Sequence, residues 1–584
     1  MIPRIRALLA LPLLFLIWQA PALAQQTPPG HAIASAHPLA TEAGLEILDA
    51  GGNAFDAAVA ITATLAVVEP YGSGMGGGGF WLLHRASDGF QTMIDGRETA
   101  PAEADRDMYL DAEGALIREA SLNGPLAAGI PGTPAALAHI TEHYGRLSLA
   151  ESLSPAIRHA RQGFAVDEHY RRMAGFRRDV LRASAEAAAI FLKNNDIPPA
   201  GHRIVQKDLA RVLERLARRG PDSFYRGDFA RELAASVREA GGIWQTEDLA
   251  AYRIKEREPV SGAWGDIRIT SAALPSAGGI GIVTMLALLE DQRLAELEEA
   301  DRIHLLAEAM RRVYRDRMLY LGDPDFADVP VQRLLGENHL AFLRSDLDPE
   351  RATPSSDLPT PPSGGEDTTH FSVIDDEGNR VGATLSINYP FGSGFVAAGT
   401  GILLNNEMDD FATRPGEPNA YGLVGGLPNA IEPGKRPLSS MTPTFMETDD
   451  RVAVLGTPGG SRIITQVLLT TLAFAENDDP DDWVSRPRFH HQYEPDRIEH
   501  EPGAISDDVR RELEARGHTV EAMGRRYGDM QAVLWHRGQG WLDAASDPRG
   551  GGLAVVRNNE DKVELKAEEA IQSGHGPLAP ADAP

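Results

Sequence analysis

Two threonines and a histidine, Thr368, Thr369 and His370, stand at the start of a segment that is typical of a β-strand. A threonine hydroxyl can attack a carbonyl carbon, but it is a weak nucleophile and needs an adjacent base. Taken alone, THFSVI is an ordinary strand start, because β-branched and aromatic residues favour pleated surfaces, and the DEGN that follows is a turn. A chemical role for Thr368 therefore has to be supported by residues elsewhere in the chain.

Five further segments combine polar side chains with glycine or proline, and most of them follow Thr368 closely. They are IDGRETAP (94–101), LSINYPFGSG (385–394), GILLNNEMDDF (401–411), KRPLSSMTPT (435–444) and GTPGGSRIIT (456–465). Each has a simple structural explanation: NNEMDD can be a solvated turn or a weak cation site, a Ser-Ser pair can be a cap, and PGG can be a tight turn. Single motif matches carry a high false-positive risk, so no segment alone assigns a function.

The composition limits the partners that the protein can have. The 584 residues include 84 acidic and 56 basic side chains, which gives a formal net charge of −28. Such a balance repels phosphate backbones and anionic lipid, so we expect neither nucleic acid nor a membrane surface as a partner. It does not exclude anionic small substrates, because a single buried arginine can bind a carboxylate.

The first 24 residues are predicted to be a signal peptide. Arg4 and Arg6 precede an apolar run that is too short to span a bilayer comfortably, and Ala22-Leu23-Ala24 is typical of a cleavage site; an uncut membrane anchor is the alternative. The chain has no cysteine, and export without disulfides suits a bacterial protein with a large core. We therefore expect a periplasmic or secreted protein that starts near Gln25.

Helical patterns dominate the chain before Thr368. Residues 39–70 predict two helices separated by Gly51-Gly52, the second with Asn53 as N-cap and apolar almost all round, which indicates burial. Residues 206–220 and 299–322 have the pattern of amphipathic helices, and 258–290 reads as two strands, a turn and a buried helix. The Pro/Ser/Asp-rich segment 348–367 is predicted to be a solvated connector.

After Thr368 the pattern changes to strands. Residues 368–375 and 381–388 predict a hairpin in which Val381, Ala383, Leu385 and Ile387 share one face. The tail from about Arg557 is polar and is predicted to be disordered. Helices on both sides of a strand-rich middle favour central sheets with helices outside, although the pattern also permits an open doubly wound sheet.

Taken together, the segments resemble one family, the γ-glutamyltranspeptidases of the N-terminal nucleophile hydrolase superfamily. The resemblance extends from about His31 to about Leu553, and coincidence does not explain so many motifs in the same order. Besides the segments above, it rests on EILDAGGNAFDAAVA (46–60), GGGGF (76–80), PSAGGI (275–280), DTTHFSV (367–373), YGLVGG (421–426), RPRFHHQ (486–492) and ASDPR (545–549).

The resemblance implies an α+β fold, a four-layer αββα sandwich built jointly by two chains. Family members are made as inactive precursors that cut themselves before the first threonine of the TTH motif, here between Asp367 and Thr368. The implied parts are a signal peptide (1–24), a large subunit (25–367) and a small subunit (368–584), the last two associating as a heterodimer. The chemistry agrees, because the cut exposes an α-amino group with a pKa of about 7.7–8.0 beside its own hydroxyl.

The resemblance also implies roles for the site residues. The catalytic set comprises the nucleophile Thr368, Ser386 as its hydrogen-bond partner, and Gly459 and Gly460 as oxyanion donors. The substrate-binding set comprises Arg97, Ser439 and Ser440 for an α-carboxylate, Glu407, Asp410 and Asn388 for an α-ammonium, and Tyr421 as gate residue of a lid loop, 419–435. Ser386 replaces a threonine, and Glu407 a glutamine, of other members. One cation and two anions make a clamp for a zwitterion, and their pairing offsets the cost of burial.

The implied reaction is γ-glutamyl transfer or hydrolysis. Thr368 cleaves the γ-glutamyl amide of glutathione or a related compound, and the resulting ester passes to water or to an amino acid or dipeptide acceptor. No metal or organic cofactor is expected; His490 and His491 lack a third ligand at a suitable spacing, which favours a structural role. Two alternatives stay open: a cephalosporin (glutaryl) acylase, whose acyl group lacks the ammonium that Asp410 would hold, and a catalytically silent binding protein on the same fold.

Overall fold

The computed structural model describes residues 27–357, 368–413, 423, 425–558 and 563–566. Within these ranges, two antiparallel sheets form the centre of the molecule. The larger sheet contains, in spatial order, Val563–Lys566, Leu553–Asn558, Gly30–Ser35, Thr369–Ile374, Arg380–Ser386, Gly78–Arg85, Phe90–Asp95 and Lys255–Arg257. The smaller sheet contains Trp541–Ser546, Gln531–His536, Arg451–Gly456, Thr444–Glu447, Ile267–Ser271 and Val260–Trp264.

Short strands form three minor sheets in the described part of the chain. They are Phe164–Ala165 with Arg203–Ile204, Val396–Ala397 with Ile402–Leu403, and Phe489–His490 with Ile498–His500 and Val520–Ala522.

Helices surround the sheets. The α-helices are Pro38–Asp49, Ala54–Val68, Arg118–Leu122, Thr133–Tyr144, Leu149–Ser152, Ser154–Gln162, Glu168–Phe176, Arg178–Ala183, Ala185–Phe191, Lys207–Arg219, Asp222–Tyr225, Gly227–Glu239, Thr246–Ala251, Gly278–Leu288, Glu299–Tyr320, Val331–Leu334, Glu337–Ser345, Ile463–Ala475, Pro480–Ser485 and Asp507–Ala515. The 3₁₀ turns are Pro125–Ala127, Leu294–Glu296, Ser355–Asp357, Glu407–Asp410, Leu427–Asn429 and Gly460–Arg462. None of the helices in the described ranges is long and apolar enough to cross a membrane.

Alternate strand residues face different cores, and this alternation gives the order of the layers. On strand Gly30–Ser35, Ile33 packs into a core shared with helices, whereas Ala32 and Ala34 belong to the core between the two sheets. The outer face of the smaller sheet packs against a second helical layer, which includes Gly278–Leu288, Glu299–Tyr320 and Ile463–Ala475. The order is helix, sheet, sheet, helix, so the predicted four-layer α+β sandwich is confirmed.

Both halves of the chain build both sheets. Of the described strands in the larger sheet, four precede Thr368 and four follow it; in the smaller sheet, two precede it and four follow. A break in the backbone before Thr368 would therefore leave the two pieces joined by strand pairing and by shared cores.

The predicted hairpin forms the middle of the larger sheet. Thr369–Ile374 and Arg380–Ser386 pair antiparallel, with Leu385 opposite Thr369. Val381, Ala383, Leu385 and Ile387 all enter the core beneath the helices, as the alternation predicts.

Behind this hairpin lies the apolar helix Ala54–Val68, all of whose residues are buried. Asn53 caps it, since its side chain accepts from the backbone N–H groups of Phe55 and Asp56 while the Asp56 carboxylate accepts from the Asn53 N–H. The predicted start and burial of this helix are confirmed.

Two expectations were wrong. Helix Glu299–Tyr320 has no broad solvated face, because most of its charged residues are buried and several are ion-paired. The tail does not become disordered at Arg557, because Leu553–Asn558 and Val563–Lys566 pair at the edge of the larger sheet. The predicted signal peptide, residues 358–367 of the connector and the tail beyond Lys566 lie outside the described residues.

Candidate active site

A small pocket beside Thr368 contains most of the residues that the resemblance assigns to the site. Its volume is about 20 Å³, room for about one water molecule, so a bound acyl group has to displace side chains that now fill it. The predicted residues that line it are Arg97, Thr368, Ser386, Asn388, Asp410, Ser439, Ser440 and Gly460, and the others are Arg317, Leu423, Met441 and Ile463. Glu407 and Gly459 adjoin these residues without lining the pocket, and Asp367 and Tyr421 lie outside the described residues.

Thr368 precedes the central strand of the larger sheet and is held in place by that strand. Its hydroxyl oxygen is buried and has no hydrogen-bond partner among the described residues. Most buried side-chain polar atoms in native proteins are hydrogen-bonded, so an orphan hydroxyl facing a pocket indicates a position reserved for chemistry.

Ser386 ends the neighbouring strand, and its hydroxyl is already engaged. Ser386 Oγ accepts from the Asn388 backbone N–H at 2.7 Å, in a turn where Asn388 has a φ of 70°. The predicted hydrogen bond between Ser386 and the Thr368 hydroxyl is absent in the uncut chain, since the Thr368 hydroxyl has no hydrogen-bond partner among the described residues. The alternative partner, the Thr368 amine, does not exist in the uncut chain.

Asn388 has a left-handed backbone conformation, which is uncommon for non-glycine residues but which asparagine tolerates better than most. Its side-chain Nδ2 donates to the Asn406 carbonyl at 2.9 Å, which ties the turn to the segment that carries Glu407 and Asp410. Strain of this kind often accompanies a functional position.

His370 has a structural role in the layer between the sheets. Its ring nitrogens lie 2.8 Å from Thr384 Oγ1 and 3.2 Å from Ser372 Oγ. Burial lowers the pKa of His370 to about 3, so the ring is neutral at physiological pH. It packs directly on Gly456, where a Cβ atom would approach the ring to 2.3 Å.

Arg97 follows strand Phe90–Asp95 and is already surrounded by acceptors. Its Nε donates to the Pro437 carbonyl at 3.2 Å and its Nη1 to Glu407 Oε1 at 2.7 Å, while Nη2 donates to Asp410 Oδ2. The two acids that the resemblance assigns to a substrate ammonium therefore pair with Arg97 in the free protein. Arg97 stays paired with both carboxylates until a zwitterion exchanges partners with them.

The pKa values of this cluster follow from burial and pairing. Burial lowers the pKa of Arg97, but Glu407 and Asp410 outweigh that effect and raise it above its usual range. Burial raises the pKa of Glu407 to about 7, against the opposing influence of Arg97. Glu407 therefore changes its charge near neutral pH, whereas Arg97 keeps its charge.

Glu98 is a buried acid behind Arg97 that the sequence analysis did not single out. Its carboxylate lies 3.9 Å from Arg97 Nη1, and neither oxygen has a hydrogen-bond partner among the described residues. Burial, and then the charge of Glu407, raises the pKa of Glu98 well above the usual range.

Ser439 and Ser440 approach the pocket from a segment that is fixed to the loop before helix Gly278–Leu288. The Ser439 N–H donates to the Pro275 carbonyl at 2.8 Å, and the Ser439 carbonyl accepts from the Ala277 N–H at 2.9 Å. Ser440 Oγ is buried without a hydrogen-bond partner in the described part of the protein. It is a second orphan hydroxyl at the same pocket.

Gly459 and Gly460 lie at the N-terminal approach to helix Ile463–Ala475, through the 3₁₀ turn Gly460–Arg462. Their φ angles of 136° and 53° fall in the region that favours glycine. A Cβ atom on Gly459 would also meet Gln466 Nε2 at 2.6 Å. Backbone N–H groups at the positive end of a helix suit an oxyanion.

His490 and His491 are buried and bonded within the protein. His490 lies 2.9 Å from Thr465 Oγ1 and 2.8 Å from Gln492 Oε1, and His491 accepts from the Tyr493 N–H at 3.1 Å. No group of three or more potential metal ligands occurs in the ranges that the structure covers.

Sequence reasoning missed Arg317, which lines the pocket from helix Glu299–Tyr320. Its spacing placed it on a helix that reads as amphipathic, so nothing local distinguished it from a solvated arginine. Leu423, from the predicted lid segment, is the one described residue between 414 and 424, and it lines the same pocket.

The layers and the site define the class of protein. A threonine at the head of a central strand, in an αββα sandwich and beside a polar pocket, is the arrangement of an N-terminal nucleophile hydrolase. Among solved structures, a cephalosporin acylase from Bacillus halodurans aligns with a TM-score of 0.79 at 26% identity, over 92% of this chain and 98% of that one. A γ-glutamyltranspeptidase chain from Helicobacter pylori aligns with a TM-score of 0.54 at 38% identity, over 55% of this chain and 93% of its own length.

Sequence comparison narrows the class to a family. The Gamma-glutamyltranspeptidase family profile matches residues 40–556. The glutathione hydrolase proenzyme of Escherichia coli (strain K12) is 42% identical over 527 residues, which are 88% of this chain and 90% of that protein. The chain belongs to the γ-glutamyltranspeptidase family.

Proposed function

We propose that the protein is a γ-glutamyltransferase and glutathione hydrolase, made as a precursor that cuts itself before Thr368. The observation that carries the proposal is the pocket in which the orphan Thr368 hydroxyl meets Arg97, Asp410 and Ser440. A nucleophile beside two arginines, two acids and unbonded hydroxyls fits an acyl group that is itself a zwitterion.

Processing begins with the Thr368 hydroxyl attacking the carbonyl carbon of Asp367. The C–N bond of that peptide breaks, the nitrogen takes a proton, and an ester joins Asp367 to Thr368 Oγ. Water then hydrolyses the ester, leaving a carboxylate on Asp367 and a free amine and hydroxyl on Thr368. The products are a large chain (25–367) and a small chain (368–584), which remain together because both contribute strands to both sheets.

Catalysis uses the amine that processing creates. The Thr368 amine takes the proton of its own hydroxyl as the oxygen attacks the γ-carbonyl of the donor. The N–H groups of Gly459 and Gly460 bind the oxyanion, and such a donor is typically worth about 10²–10³ in rate. The leaving amine departs with the proton, and a γ-glutamyl ester remains on Thr368. Water, or the amino group of an amino acid or dipeptide acceptor, attacks this ester and releases Thr368.

The charged end of the pocket selects the acyl group. The α-carboxylate binds to Arg97 and accepts hydrogen bonds from the hydroxyls of Ser439 and Ser440. The α-ammonium binds to Asp410 and Glu407, and Asn388 lies beside these two acids. Each group of the substrate replaces one partner of an existing ion pair, so no charge is buried alone.

A cephalosporin (glutaryl) acylase is the second candidate, favoured by the close structural alignment with an acylase. A glutaryl group has the carboxylate but no ammonium, so it brings no positive charge to Glu407 and Asp410. Two acids on one arginine are better explained by a substrate that brings a positive charge, and the γ-glutamyl donor is therefore preferred.

The proposed location is the periplasm or the exterior of a bacterial cell. The basis is the predicted signal peptide before Gln25, together with the cysteine-free composition. Cell fractionation, followed by N-terminal sequencing of the large chain, tests this part; a cytoplasmic protein that starts at Met1 would contradict it.

The proposed activity is tested with γ-glutamyl-p-nitroanilide, with and without glycylglycine, and with glutaryl-p-nitroanilide in parallel. We expect nitroaniline release from the γ-glutamyl donor, faster with glycylglycine, and at least about tenfold lower kcat/KM for the glutaryl donor, since one charged contact is worth that much. The Thr368→Ala variant is the matched control and should release none. Preference for the glutaryl donor would favour the acylase.

A further inference from the structure

Arg317 is an unpaired buried cation at the active-site pocket. It lies in the last turn of helix Glu299–Tyr320, is 5% exposed and lines the pocket that contains Thr368 and Arg97. Its Nε has no hydrogen-bond partner, and its guanidinium makes no ion pair with the residues that the structure describes.

Two other buried arginines of the same helix have guanidinium groups that are paired with an acid. Arg311 Nε lies 3.2 Å from Glu308 Oε1, and Arg312 Nη1 lies 2.6 Å from Glu308 Oε2. Both also contact further acceptors outside the helix. Arg317 is buried like these two and, unlike them, forms no ion pair with any described residue, although the charge of Asp410 raises its pKa.

An unpaired buried charge is costly and is retained where something binds it. Burial lowers the pKa of Arg317 to about 10, with Asp410 opposing that effect, so the guanidinium remains charged at physiological pH. If the role were only to fill space, an apolar side chain of similar length would do so without the cost of a buried charge. The position therefore calls for an anion inside the pocket.

The charged groups of the pocket indicate which anion binds to Arg317. Arg97 is already ion-paired with both Glu407 and Asp410 before any substrate enters. A γ-glutamyl group brings one ammonium, which competes for those acids, and one α-carboxylate, which then faces Arg97 and Arg317. The orphan hydroxyl of Ser440 lines the same space.

We propose that Arg317 is a specificity-determining residue that binds the donor α-carboxylate together with Arg97. The inference rests on the proposed function, because it assumes an acyl donor with that carboxylate. Arg317 makes the pocket selective for donors with a negative charge at the α position, whatever they carry in place of the ammonium.

The test compares Arg317→Met with the unmodified enzyme on three anilide donors. γ-Glutamyl-p-nitroanilide has both α-groups, glutaryl-p-nitroanilide keeps only the carboxylate, and 4-aminobutyryl-p-nitroanilide keeps only the ammonium. We expect kcat/KM to fall by about 10–100-fold for the first two donors, mostly through KM, as for the loss of a charged contact. For the 4-aminobutyryl donor, the change should stay within about twofold.

Asp410→Asn is the matched variant, because it removes a charge at the other α-group. It should impair the γ-glutamyl and 4-aminobutyryl donors more than the glutaryl donor, which is the converse pattern. Equal losses on all three donors, or none, for Arg317→Met would overturn the assignment. Should Arg317→Met fail to process, Arg317→Gln is measured in its place with the same expectations.

Failure of this inference is distinguishable from failure of the proposed function. If the unmodified enzyme turns over γ-glutamyl-p-nitroanilide but Arg317→Met leaves its KM unchanged, only the role of Arg317 is wrong. If the unmodified enzyme is cut at Thr368 and does not use the γ-glutamyl donor at all, the proposed function is wrong.

Discussion

The two ends of the pocket differ in whether their reactive or binding groups already have partners within the protein. At the acyl-binding end, Arg97 is bonded to Glu407, Asp410 and the Pro437 carbonyl. At the nucleophile end, the Thr368 hydroxyl is buried and has no partner among the described residues.

The difference follows from what each end has to do. A charged group that is left alone in a buried site is costly, so Arg97 and its two acids stay paired until a zwitterion exchanges with them. A neutral hydroxyl can be left without a partner at lower cost, and a hydroxyl bonded to something else would be a poorer nucleophile. Arg317 is an exception, since it is charged and forms no ion pair with the residues that the structure describes.

The largest effect is expected at the nucleophile end, from Gly459→Ala. The substitution forces a Cβ atom against the buried Gln466 and strains a φ of 136°, which displaces the oxyanion donors. We expect kcat to fall by about 10²–10³ with KM for γ-glutamyl-p-nitroanilide little changed. Steady-state kinetics on the processed fraction, quantified on a denaturing gel, measures this.

Gly89→Ala is the matched control for that variant. Gly89 also has a positive φ, 71°, but it is exposed, and a Cβ atom there would meet nothing within 4 Å. It should cost some stability and no activity. If both variants lose the same activity, backbone strain rather than the oxyanion position is responsible.

The next effect is expected at the acyl-binding end, from Arg97→Met. Removing the guanidinium leaves the α-carboxylate with fewer donors and leaves Glu407 and Asp410 without their partner. KM for γ-glutamyl-p-nitroanilide should rise by about 100-fold, and kcat should change less, because the contact is made equally in the ground and transition states.

Arg451→Met serves as control, since Arg451 is also partly buried and donates to the Phe474 carbonyl at 3.1 Å, away from the pocket. If Arg97→Met has the same KM as this control, Arg97 does not bind the α-carboxylate. The contrast between the two ends of the pocket would then be wrong.

The smallest effect is a pH dependence that comes from Glu407. Burial raises its pKa to about 7, so it is neutral below that pH and negative above it. Only the negative form attracts the α-ammonium, and kcat/KM for the γ-glutamyl donor should therefore rise with pH between 6 and 8, by up to about tenfold.

The ratio of kcat/KM between the unmodified enzyme and Glu407→Gln isolates this contribution, because the Thr368 amine titrates in both. The ratio should increase with pH through about 7. A ratio that stays constant from pH 6 to 8 would show that Glu407 does not change its charge at the site.

Local patterns in the sequence predicted much of the scaffold. The hairpin after Thr368, the capped apolar helix from Ala54 and the strand pair before Gly278 are each determined by neighbouring residues and by alternation. The layer order required a choice between two architectures that local patterns permit equally, and the resemblance rather than periodicity made that choice.

The electrostatics of the site could not be predicted in the same way. Arg97 and Glu407 are separated by 310 residues, so their pairing is a product of the whole fold. Arg317 lies on a helix whose charged residues read as a solvated face, and only the layers around that helix reveal that its cations are buried. Sequence spacing identifies which residues can carry charge, and packing decides which of them are left unpaired.

The most direct test of the central claim is N-terminal sequencing of the smaller fragment in purified, active protein. The account predicts a fragment that begins Thr368-Thr369-His370-Phe371, and a single uncut chain for Thr368→Ala. A fully active preparation in which the chain is intact, or in which the small fragment begins at any other residue, would contradict it.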